Sequence, residues 1–170
     1  MNETESRELP LETETAYVRR LRPDDLERVI ALDARIVGRR RDEYFRIKLD
    51  MAMKETGVEI SLAGELDGIF VGFLIARVFY GEFGITEPAA VLEVLGVDPG
   101  FRGRGVAHAM IRQLRTNLLG LGVRRIQTEV SWGDQAMMAF FNREGFEPAK
   151  RLCLDLDCEE HRRREETAVS

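Results

Sequence analysis

The stretch VLEVLGVDPGFRGRGVAHAMIRQLRTNLLG, Val91 to Gly120, decides how this chain folds. Its first seven residues, Val91 to Val97, are mostly apolar, of strand length and rich in β-branched side chains. Pro99-Gly100 stops the strand, and Arg102-Gly103-Arg104-Gly105 follows. Beyond it Ala107, Met110, Ile111, Leu114 and Leu118 recur at three- and four-residue spacing, one face of an amphipathic helix. Gly120 and Gly122 stand where a left-handed cap would end that helix. A strand, a glycine-rich loop and a helix entrance in this order aim free backbone N–H groups and a positive dipole end at one spot, which suits an anion. Two arginines beside it can add charge-assisted bonds to phosphate.

The loop is not a dinucleotide fingerprint. Gly103 and Gly105 fit G-x-G-x-x-G, but the third position is His108, and a long turn separates strand from loop. Glu129, about twenty residues on, falls inside a strand-like run rather than at a strand end. A Walker loop is excluded because no G-K-[ST] follows. The hexapeptide Arg102-Gly103-Arg104-Gly105-Val106-Ala107 does match [QR]-x-x-G-x-[GA]. Here the chain resembles the GNAT family, the GCN5-related N-acetyltransferases, and in particular its ribosomal-protein alanine acetyltransferase branch. A second likeness is FFNREGF, Phe140 to Phe146, which resembles the family's A-x-x-x-[FY]-x-x-x-GF segment with Met137 in place of its alanine.

Working outward, Ala16 to Leu21 reads as a short strand and Pro23-Asp24-Asp25 as a helix start. A helix to about Val37, a break at Gly38 to Arg41 and a second helix from Asp42 to Glu55 follow. Val58 to Leu66 alternates like a strand, and Asp67-Gly68 signals a two-residue hairpin. Ile69 to Phe79 is almost wholly apolar, which predicts a central strand. Gly81 to Ala90 reads as a loop, Arg124 to Trp132 as another strand and Gly133-Asp134 as the cap of a helix to about Glu144. A last strand is expected over Ala149 to Leu156. The acidic stretch 1–14 and the charged tail 159–170 read as disordered, flanking one domain over 15–158.

Composition narrows the classes. A chain of 170 residues can bury a substantial core. No apolar run approaches membrane-spanning length, and the polar, acidic start does not read as a signal or transit peptide, so none is expected. A net charge of −5 argues against general nucleic-acid binding. Cys153 and Cys158 offer neither a disulfide framework nor metal spacing, so reduced thiols, a cytoplasmic location and no metal are expected.

The resemblance implies an α+β, three-layer fold: a mixed sheet splayed between its middle strands, with helices on both faces and acetyl-CoA in the gap. It implies pantetheine pairing by the backbone of Leu95, Gly96 and Val97, and a pyrophosphate held by the amides from Arg102 through Gly103, Arg104, Gly105, Val106 and Ala107 to His108. It further implies direct attack of a primary amine on the thioester. Glu129, in Thr128-Glu129-Val130-Ser131, matches the glutamate proposed as base in the alanine-acetyltransferase branch. It lies on the polar face of its run, where partial desolvation improves a carboxylate as base. Glu93, alone among apolar neighbours, is the second candidate, as a base or as an acceptor-orienting group. Two positions depart from the family. Phe141 stands where many members carry a tyrosine that protonates the CoA thiolate, and Asp134 stands where an asparagine often touches pantetheine.

The acceptor is expected to be a protein or peptide amine, with a small-molecule amine as the alternative. Arg35, Arg39, Arg40, Arg41 and Arg46 would favour a carboxylate-bearing acceptor, whereas Glu82 and Glu87 would favour a polycation. A non-catalytic acyl-CoA-binding module is the other functional class, and the assembly, monomer or homodimer, stays open.

Overall fold

The computed structural model describes residues 16–54, 60–80, 86–151 and 153–160. Its elements are β1 (Tyr17–Arg20), α1 (Leu26–Val37) after a 3-10 turn at Pro23–Asp25, α2 (Asp42–Lys54), β2 (Leu62–Leu66), β3 (Ile69–Phe79), β4 (Ala89–Val97), α3 (Val106–Gly120), β5 (Ile126–Gln127) and α4 (Gln135–Arg143). The chain divides into two compact units, 1–131 and 132–170.

In the first unit the strands form one mixed sheet in the order β1-β2-β3-β4-β5. The first three pairings are antiparallel and β4–β5 is parallel. The apolar run Ile69–Phe79 is the middle strand, because only a strand covered on both faces can carry so few polar side chains. Asp67 and Gly68 link β2 to β3 at φ 49° and 75°, a turn whose twist matches its flanking strands. One face carries α1 and α2 over a core that includes Val29, Ile30, Leu32, Phe45, Leu49, Phe73 and Ile75. The other carries α3, which buries Val106, Met110, Ile111, Leu114 and Leu118. Its entrance lies close on the sheet because glycines stand beneath it. A Cβ on Gly64 would come 2.9 Å from Val106 Cγ1, and one on Gly72 would come 3.0 Å from Met110 Cε.

The helix ends as the glycines require. Gly122, at φ 75°, follows the last turn, and Val123 N–H donates to Leu118 O at 2.9 Å, a Schellman closure. Near the chain's first described elements, buried Asp25 ties β1 to α1. Arg19 donates to both its oxygens, at 2.7 and 2.9 Å, and Arg22 N–H adds a third bond at 2.9 Å. Burial opposes the charged form, yet these bonds outweigh it and hold the Asp25 carboxyl below the usual carboxylate range.

Two expected strands are corrected. The one over Arg124 to Trp132 is only β5, Ile126–Gln127, because its ladder with β4 consists of Ala90–Ile126 and Val91–Gln127. The next residue, Thr128, spends its hydroxyl on Leu92 O at 3.0 Å, and regular pairing stops there. The last strand, over Ala149 to Leu156, is absent among the described residues. The second unit holds no strand among its described residues that could pair with it. Val58 and Glu55, at the expected ends of a strand and a helix, lie outside the described residues, as do 81–85 of the expected loop. That loop is shorter than its expected end, because Ala89 and Ala90 already belong to β4.

Candidate active site

The sheet opens on one side of β4. From Leu92 to Val97 this strand stays paired with β3, while β5 has already left it. The last tie across the opening is Thr128 Oγ1 to Leu92 O, so the strands diverge from that point toward the C-terminal end of β4. The backbone of Leu95, Gly96 and Val97 lies along the diverging part. Gly96 is buried, and a Cβ there would stand 2.7 Å from Phe73 Cε1.

At the C-terminal end of β4 the chain passes through Asp98 and a 3-10 turn, Pro99–Phe101, into the glycine-rich loop. Asp98 Oδ1 accepts from Gly100 N–H at 2.9 Å, and Asp98 Oδ2 accepts from Arg35 of α1 at 2.7 Å. Arg102, Gly103, Arg104 and Gly105 are exposed, with the Arg104 guanidinium 5.3 Å from the Phe101 ring. Gly103 and Gly105 sit at φ 78° and 75°, which side chains other than glycine's adopt at a cost. Gly105 is the N-cap of α3 and no side chain caps that end. The first amides of a helix have no intrahelical acceptor, and the dipole of this 15-residue helix favours negative charge at the same place. Ala107 is half-buried and His108 exposed in that first turn. These residues fit a diphosphate.

The two candidate carboxylates flank the opening, each one residue beyond the Thr128–Leu92 tie. Glu129 is exposed. Glu93 occupies a β-bulge: Ile75 pairs with Val94 and Ala76 with Leu92, which leaves Glu93 as the extra residue. Bulges re-aim side chains, and this one sends Glu93 toward α2. Its Oε1 accepts from Lys48 Nζ at 3.0 Å and from Arg77 Nε at 3.1 Å. Lys48 also stands 5.9 Å from the Tyr44 ring, which carries Arg41 at 4.8 Å. Arg41 in turn grips buried Asp33 through two bonds of 2.8 and 2.6 Å. Of the acids in the loop before β4, Glu87 is exposed and Glu82 lies outside the described residues.

Sequence reading missed Lys48, Arg77 and Thr128. A signal existed for the second: Arg77 is the one charge in Ile69–Phe79, and Glu93 the one charge in Ala89–Val97. Two lone opposite charges on adjacent apolar strands are a pair waiting to be made.

In the second unit, Asp134 caps α4 by accepting from Met137 N–H at 2.9 Å. Phe141 is buried, with the Phe140 and Phe146 rings 5.3 and 5.0 Å away. Among the described residues no cluster of three or more His, Cys, Asp or Glu could hold a metal, and no helix is long and apolar enough to cross a membrane.

Residues 18–146 match the sequence model of the Acetyltransferase (GNAT) family. The chain belongs to this family. It is accordingly an acyl-CoA-dependent N-acetyltransferase, with acetyl-CoA as the acyl donor. Solved structures share the GNAT fold at low identity. The aminoglycoside N-acetyltransferase AAC(6')-Iy in complex with CoA is 21% identical, with a TM-score of 0.70, covering 85% of this chain and 95% of its own. The 6'-N-acetyltransferase AAC(6')-Ih from Acinetobacter baumannii is 17% identical at TM-score 0.70, covering 84% and 98%. A chain described as a transcriptional regulator from Bacillus halodurans C-125 is 18% identical, also at 0.70, covering 84% and 99%. Equal likeness to such different descriptions fixes the GNAT fold without fixing the acceptor.

Proposed function

We propose that the acetyl group passes directly from acetyl-CoA to a primary amine at the point where β4 and β5 part. The observation that carries this reading is the join of an uncapped helix entrance at Gly105 to a strand, β4, whose far side is open from Glu93 onward. The amides from Arg102 to His108 hold the diphosphate, and Arg102 and Arg104 add charge-assisted bonds. From Val97 back to Glu93 the strand rises about 13 Å, at ~3.3 Å per residue. An arm laid along Val97, Gly96 and Leu95 therefore brings its thioester to the bulge.

Glu129, exposed and beside the tie that closes the opening, takes the proton from the incoming ammonium, because only the neutral amine has a lone pair. Glu93, held by Lys48 and Arg77, orients the acceptor instead. The amine nitrogen bonds to the carbonyl carbon, and a backbone N–H at the bulge donates to the developing oxyanion; as the carbon–sulfur bond breaks, the nitrogen releases its second proton to water and the CoA thiolate departs. The CoA thiolate is then protonated by water. The likeness at Glu129 favours a peptide or protein amine as acceptor.

The test is Glu129→Gln, followed by release of free CoA thiol. Turnover falls most below neutral pH while cofactor affinity stays nearly constant. Equal activity across pH moves the proton to Glu93 or to water. Cofactor binding without thiol release from any amine would count against this transfer.

A further inference from the structure

Within the proposed acetyl-transfer reading, the side of the sheet that receives the acceptor can be argued from the bulge. On one face α3 covers the sheet with buried Leu114 and Leu118. On the other, Glu93 reaches toward α2, where Tyr44 is part-exposed and Lys48 and Arg77 meet the carboxylate. The acceptor comes in beside α2.

The charge of that wall is unlike that of the whole chain. The chain carries a net −5, yet the segment from Leu26 to Lys54 holds eight basic residues against five acidic. Four of those acids are already engaged. Glu27 and Asp42 pair with Arg40 at 3.2 and 2.7 Å, Asp33 with Arg41 at 2.6 Å, and Glu43 with Arg46 at 2.6 Å. Glu93, at the bulge, accepts from two cations on one oxygen. A polycation would have to displace Lys48 or share its carboxylate. Arg28 and Arg35 are paired as well, with Asp25 at 3.4 Å and Asp98 at 2.7 Å, so Arg39 is the arginine left over. Arg39, exposed at the bend between α1 and α2, has no ion pair among the described residues.

We infer that the acceptor is a primary amine carried on an acidic molecule, in which a nearby carboxylate meets the α1–α2 cations while the amine meets the carboxylates at the opening. A free amino acid and an acidic peptide share this chemistry. Polyamines and aminoglycosides lack it.

The experiment uses the full chain with saturating acetyl-CoA, its binding first verified by calorimetry, and reads thiol release. The acceptors are alanine and alaninamide, the peptides Ala-Glu-Glu-Gly and Ala-Lys-Lys-Gly, and spermidine. The acidic member of each matched pair has a kcat/KM roughly ten-fold higher, and the advantage shrinks in about 0.5 M salt as exposed charges are screened. Whether alanine or Ala-Glu-Glu-Gly is the better acceptor tells amino acid from peptide. Lys48→Met raises KM for the acidic acceptor and leaves KM for acetyl-CoA in place. Preference for the lysine peptide, the amide or spermidine, or no preference at all, overturns the inference. Bound acetyl-CoA with no thiol release from any acceptor removes acetyl transfer itself, and the acceptor class with it.

Discussion

Gly105 and Gly38 form a matched pair for testing the phosphate loop. Both sit in the left-handed region, at φ 75° and 78°, and a Cβ at either position meets no atom within 4 Å. Gly38 is the C-cap of α1, and Gly105 the N-cap of α3. Replacing either by alanine therefore costs only the backbone strain, about 1–2 kcal/mol. For a domain of this size that lowers Tm by about 2–8 °C. The two variants should lose the same stability. They should differ in cofactor affinity, because only Gly105 belongs to the loop proposed to hold the diphosphate. Losing or lengthening one charge-assisted amide bond there costs about 1.5–3 kcal/mol, roughly a 10- to 150-fold rise in Kd. Calorimetric titration with CoA, beside thermal melts of both proteins, reads the two quantities separately. If Gly105→Ala binds CoA as tightly as Gly38→Ala, the assignment of the loop is wrong.

The contact between Arg35 and Asp98 predicts a coupling. Arg35→Ala and Asp98→Asn each remove the 2.7 Å ion pair that steadies the turn into the loop, and each should raise KM for acetyl-CoA a few-fold, since a half-exposed pair contributes about 1 kcal/mol or less. The double variant should be no worse than Asp98→Asn alone; additive losses would mean the two act separately. Asp25 predicts an acid sensitivity. Its folded pKa lies below the unfolded value, so its stabilisation is complete above the ordinary carboxylate range and fades as pH falls through the lowered value. Asp25→Asn should destabilise the protein at neutral pH by about 3 kcal/mol, because it leaves the partly buried Arg19 short of a partner, and should flatten the acid limb of an unfolding-midpoint titration. An unchanged acid limb would show that other carboxylates set it.

Much of the fold could be read from local chemistry. The apolar run Ile69–Phe79 announced a middle strand, Asp67-Gly68 announced its hairpin, and Gly122 ended α3 where a left-handed residue was needed. These features depend on neighbours within a few residues. What escaped depends on partners far along the chain. β5 ends beside Thr128, whose hydroxyl bonds Leu92, 36 residues away, and no pattern within Arg124 to Trp132 could report that. The alternation in Ala149 to Leu156 described a strand's faces without supplying a strand to pair with. The bulge at Glu93 exists only as a mismatch in register with β3, and its bond to Lys48 spans 45 residues. The loop at Arg102 to His108 was legible because a helix entrance with two glycines is a local device. The surroundings of Glu93 were not.

If the loop amides and the open side of β4 grip coenzyme A, titration of the labelled protein with acetyl-CoA, followed by backbone amide NMR, gives its largest shifts at Arg102 to His108 and along Leu95 to Val97, saturating together with one Kd. No binding, or shifts confined to another part of the chain, would rule that grip out.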